Sequence, residues 1–171
     1  MARCFLFLAL WFNCVGFAAA QNIPAQLQGK WIIKRVLPTS TISCWSYKEA
    51  RQIVGTEIEY TADMLRWKDR VASHPLVAVS IVTAEQFHRE NSGGGPTDSQ
   101  VTFDQLGIRT PTAIQVVLTH PDIEPIRGAY EIPGDTVLIR DESTIVFAVC
   151  NVYLEARRMV SRNKPRTDPA R

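Results

Sequence analysis

The chain has 171 residues, 46% of them hydrophobic and 21% charged, with a formal net charge of +2. Set apart from a leader, that length suits one ordinary domain with a real core, so no second domain is required. A balance so near neutral leaves no broad basic surface for nucleic acid outside the last residues.

Residues 1–20 read as a signal peptide. Arg3 supplies a positive start, "CFLFLALWFNCVGF" an apolar stretch, and Ala18 to Ala20 a small-residue cleavage site. A membrane anchor is the rival reading, but the apolar run falls short of the roughly 20 residues a bilayer demands. Cys14 lacks the small preceding residues of a lipoprotein signal. The expected mature chain starts at Gln21, is secreted or periplasmic, and carries no transmembrane segment. Residues 21–158 form the domain and 159–171 a basic, proline-broken tail. From Arg157 onward six basic residues face only Asp168, whereas 21–156 holds twelve basic and sixteen acidic residues. Such an end can touch an anionic surface, or simply be a solvated tail.

"LQGKW" (Leu27–Trp31) leads into the first candidate strand, "WIIKRVL". "YKEARQIV" follows as a helix of about two turns, because Ser46 and Glu49 fit a capping box and Gly55 stands where it would stop. In "EIEY" and "LRWK", Ile58, Tyr60, Leu65 and Trp67 alternate with Glu57, Glu59, Arg66 and Lys68. That period of two predicts a hairpin with one buried and one wet face. After the strand "LVAVSIV", Thr83 and Gln86 cap a second helix, "AEQFHRE". The loop "NSGGGPTDSQ" has no lysine and opens no helix, so it is not a phosphate cradle. The strands "TAIQVVLT", "GAYEI", "TVLIR", "TIVFAVC" and "VYLEAR" complete nine candidates. Their short spacing predicts an all-β fold with two short helices, a sandwich or a barrel.

Gly29-Lys30-Trp31 resembles the G-x-W that opens the first strand of lipocalins and other calycins. Arg157 or Arg158, closing "VYLEAR", stands where that family packs an arginine across the tryptophan, a cation–π contact of roughly 0.5–2 kcal/mol. The resemblance implies a single antiparallel β-barrel of about eight strands in a binding protein of unassigned function. It covers the mature domain in order and length, and matches residue by residue only at the two ends. The chain departs from the family in its early helix, in lacking the middle turn motif and in having no long helix after the last strand.

Removal of the leader leaves Cys44 and Cys150 in an oxidising compartment, where they form a disulfide or stay as two buried thiols. A bridge closing a loop of on the order of 100 residues contributes up to about 4.7 kcal/mol in the chain-entropy account.

No catalytic constellation stands out, so the expectation is a non-enzyme without cofactor or metal. His74 and His120 precede prolines, and no two histidines have ligand spacing. Glu85 and His88, with Glu90 beyond, share a helix face but lack a second half-site. Asp135 and the pair Asp141-Glu142 sit in turns, where acidic residues bond the backbone. No G-x-S-x-G elbow is present. Binding is the better reading. A small apolar or amphiphilic molecule would be lined by Tyr60, Trp67, Phe147 and Tyr153, with Trp31 as a structural plug. A protein partner reached through the loop 91–100, as by a hydrolase inhibitor, is the alternative.

Overall fold

The computed structural model describes residues 22–38, 45–91, 101–121 and 132–159. Among these residues nine strands and two helices occur, in the order β1 (Gly29–Val36), α1 (Tyr47–Arg51), β2 (Glu57–Tyr60), β3 (Met64–Trp67), β4 (Arg70–Ser73), β5 (Leu76–Thr83), α2 (Ala84–Asn91), β6 (Thr112–Thr119), β7 (Thr136–Asp141), β8 (Thr144–Val149) and β9 (Val152–Arg158). They form one sheet ordered β4-β3-β2-β1-β9-β8-β7-β6-β5. Every neighbouring pair is antiparallel.

The sheet curls strongly into a half-barrel and does not close as the expected eight-strand barrel. Strand β4, "RVAS", was not among the expected strands, and its partner edge β5 does not pair with it. Only two residues, His74 and Pro75, link them. His74 adopts φ +50° and donates its amide to Asp63 O at 2.7 Å, back toward the β2–β3 turn. Pro75 has no N–H to offer a ladder. His74 and Pro75 therefore close no hairpin, and β4 and β5 remain the two edges of the sheet. "GAYEI" lies outside the described residues except for Ile132, which is buried but not in a strand.

Helix α1 has its full capping box: Ser46 Oγ accepts from Glu49 N, and Glu49 Oε2 accepts from Ser46 N at 2.8 Å. It ends at Arg51, earlier than expected, because Gln52 caps it and a turn carries the chain to Gly55, whose φ is +88°. At α2 only half the box forms. Thr83 Oγ1 accepts from Gln86 N at 3.0 Å, while the Gln86 side chain turns to Glu90.

The two faces of the sheet bury different clusters. On the concave face Trp31, Ile33, Ile58, Tyr60, Leu65, Trp67, Ile145, Phe147 and Leu154 join Trp45 and Ile53 in the main core. On the convex face α2 and the segment 101–108 cover Val82, Leu138, Val146 and Tyr153 with Phe87, Phe103 and Leu106. Double coverage explains why β8, "TIVFAV", is apolar at nearly every position instead of alternating.

Candidate functional site

At the G-x-W end, Gly29 takes φ +116°, and an added Cβ there would stand 3.0 Å from the Arg158 guanidinium. Trp31 is fully buried and donates from Nε1 to Leu27 O at 2.8 Å. Arg158, directly opposite Trp31 in the β1–β9 ladder, lies 4.2 Å from the ring centroid. Its nitrogens donate to the carbonyls of Gln26, Gln28 and Glu142. One side chain thus clamps the lead-in segment and the β7–β8 turn over the indole. Arg157 points to the other face. There it shares the buried Glu155 carboxylate with Arg35 and Arg140, at 2.9, 2.8 and 2.9 Å. Burial alone would raise the Glu155 pKa, but the hydrogen bonds from Arg35, Arg140 and Arg157 hold it below the ordinary glutamate value.

Of the four side chains expected to line a ligand cavity, Tyr60, Trp67 and Phe147 belong to the main core and Tyr153 to the cluster on the other face. Tyr60 and Trp67 are core residues, 2% and 3% exposed. Tyr60 donates to Gly134 O at 2.8 Å, and Trp67 Nε1 to Thr56 Oγ1 at 2.9 Å. Burial, with the Asp135 charge nearby, raises the Tyr60 pKa well above its usual value. Phe147 sits in the concave core and Tyr153 in the convex one. They do border a common cleft of about 240 Å³ beside α2, with Phe87, Asn91, Gln115 and Leu138. Tyr153 donates to Asn91 Oδ1 at 2.8 Å, and burial pushes its hydroxyl up to about 12. This cleft is smaller than the ~300–1,000 Å³ usual for small-molecule sites.

A larger opening, about 690 Å³, lies at the Arg158 end of the half-barrel, lined by Ala25, Gln26, Ile114, Ile139, Arg140, Asp141, Glu142 and Arg158. Two of its lining residues, Ile114 and Ile139, belong to a row set by strand register. Ile81, Ile114, Ile139, Ile145, Ala156 and Ile33 stand side by side across β5, β6, β7, β8, β9 and β1. Directly opposed residues of a sheet share a face, so the row is a continuous apolar belt. Ile33, Ile145 and Ala156 are fully buried, Ile114 and Ile139 partly, and Ile81 is 72% exposed. The belt therefore runs out of the core into an open groove. Asp141 on the rim is the last residue of β7, before the turn to β8. Desolvation would raise its pKa, but the hydrogen bonds from Ser143, Thr144 and Arg140 lower it to about 2. Ile114 and Ile139 were not expected as site residues, since nothing in "TAIQVVLT" or "TVLIR" distinguishes them from the core valines beside them.

Cys44, the leader, the tail beyond Met159 and residues 92–100 of the loop lie outside the described residues. Cys150 forms the β8–β9 turn with Asn151, at φ +51° and +61°. Trp45, the residue after Cys44, belongs to the same apolar core as Cys150. Among the described residues no His, Cys, Asp and Glu side chains are grouped to hold a metal ion, and no helix is long and apolar enough to cross a membrane. His88 and Glu90 are on α2; His120 instead faces Asp135 at 3.7 Å. No protein-family model, no curated protein and no solved structure matches this chain.

Proposed function

We propose that the protein is an exported, lipocalin-like binding protein, not an enzyme, holding a small apolar or amphiphilic molecule non-covalently in the groove at the open end of its concave face. The observation that carries this reading is the belt: apolar side chains on a concave surface continue past the sealed core to Ile114, Ile139 and the largely exposed Ile81. A volume near 690 Å³ is within the range of small-molecule sites. Its polar rim of Gln26, Asp141 and Glu142 suits a molecule with one wet end. The cleaved leader and a Cys44–Cys150 bridge belong to the same proposal.

Native mass spectrometry of protein purified from its own compartment is expected to show a co-purifying small molecule. The stripped protein should bind the fluorescent amphiphile 1-anilinonaphthalene-8-sulfonate saturably, and Ile114→Ser or Ile139→Ser should weaken that binding about ten-fold with the circular dichroism unchanged. Absence of both a co-purifying molecule and saturable probe binding would overturn the proposal. Mature protein should begin at Gln21 and weigh about two daltons less than its reduced form, two hydrogens lost on oxidation.

A further inference from the structure

Strand β5 pairs with β6 along all eight of its residues, Leu76 to Thr83. Among the described residues nothing pairs with its other edge. A sheet edge left in that state presents a row of amides and carbonyls to any chain of matching length, and proteins normally blunt it with charge, proline, a bulge or brevity. The opposite edge is blunted: β4 has four residues and begins with Arg70. In "LVAVSIVT" there is no charge and no proline, and its ladder with β6 has no register shift. Leu76, Val79 and Ile81 are 70%, 39% and 72% exposed.

We propose that this edge is a dimer interface, on which the β5 of a second copy of the chain pairs antiparallel. The strand is complementary to itself. A two-fold axis through Val79, normal to the sheet, sets Val79 opposite Val79 of the second copy and Val77 opposite Ile81, so β-branched side chains meet on the concave face. On the convex face the same register sets Leu76 opposite Val82 and Ala78 opposite Ser80. No charged residue enters the ladder from either copy, so self-pairing meets no like-charge repulsion. The inference shares Ile81 with the apolar belt but not Ile114 or Ile139, which line the groove, and it stands whether or not the groove holds a ligand.

Sedimentation of the mature protein across micromolar concentrations should show a monomer–dimer equilibrium. Val79→Lys and Ile81→Lys, both at exposed positions, should each weaken it at least ten-fold while leaving the circular dichroism unchanged. Val79→Cys should oxidise to a linked dimer, because directly opposed residues stand about 4.5–5.5 Å apart at Cα, within disulfide reach. Leu76→Cys should not link, since its counterpart lies at the far end of the pairing. A monomer at every concentration, a dimer indifferent to both lysines, or linkage through Leu76→Cys instead would overturn the proposal. So would a monomer whose β5 amides are protected from exchange, which would mean that another segment of the same chain covers the edge.

Discussion

Ile33 and Ile81 stand at opposite ends of one row of the concave face, and one is fully buried while the other is 72% exposed. Their strands share sheet, face and residue type. What differs is what lies across the curl. Ile33 lies inside the main core with Trp45 and Ile53, whereas β5 stands at an edge that the curl leaves open. Burial in a half-barrel is thus decided by what packs over the strand, and a strand's own alternation says only which face it would bury.

Substitutions along and around that row can break or sharpen the contrast. The largest effect is expected at the sealed end. Trp31→Ala removes a fully buried ring, its hydrogen bond to Leu27 and the surface on which Arg158 lies, and should cost about 3–5 kcal/mol in urea unfolding. Gly134→Ala comes next. Its φ is +95° and an added methyl would stand 2.2 Å from the Tyr60 hydroxyl, so a loss of about 2 kcal/mol is expected. Adding Tyr60→Phe should recover part of it, and strict additivity of the two would show that the hydroxyl is not the obstacle.

A pH dependence follows from Glu155. Its folded pKa is below its unfolded value of 4.5, so the unfolded chain binds more protons in acid. The stability it contributes is complete above that value and lost as pH falls through the lower folded one. Glu155→Gln should flatten this acid limb; an unchanged limb would assign it to other carboxylates, Asp141 first. The smallest effect is expected at Ile81→Ala, within about 0.5 kcal/mol for the monomer. Ile33→Ala should cost about 2–5 kcal/mol. Equal costs at the two isoleucines would erase the difference between the two ends of the row.

Much of the fold was legible because it is local. Alternation exposed the hairpin of Ile58, Tyr60, Leu65 and Trp67, and Ser46 with Glu49 announced α1. Strand β4 was missed because "RVAS" is short and carries no alternation beyond Ala72. Closure could not be read, since whether β4 and β5 pair is a relation between strands at opposite edges of the sheet and not a property of either segment. The ends were read better than the middle: the G-x-W resemblance offered Arg157 or Arg158 as the partner of Trp31, and the β1–β9 register, which sets Arg158 opposite the tryptophan, decides between them. The groove was not legible at all. Ile114 and Ile139 differ from Val116 and Val137 only in what fails to cover them, and no residue in the sequence records an uncovered surface.

The placing of β9 between β1 and β8 has a consequence in time. Arg35 and Glu155, which meet across the β1–β9 ladder, are 120 positions apart. The first strand therefore has only β2 beside it, and Trp31 has no guanidinium over it, until the final strand is available. Contacts of such separation slow folding, because the intervening loop must be closed before they stabilise anything. A nascent chain lacking its last dozen domain residues cannot complete its sheet. If the chain is exported as proposed, that delay keeps it in the threadable state that a translocation channel accepts, and folding begins on the far side of the membrane.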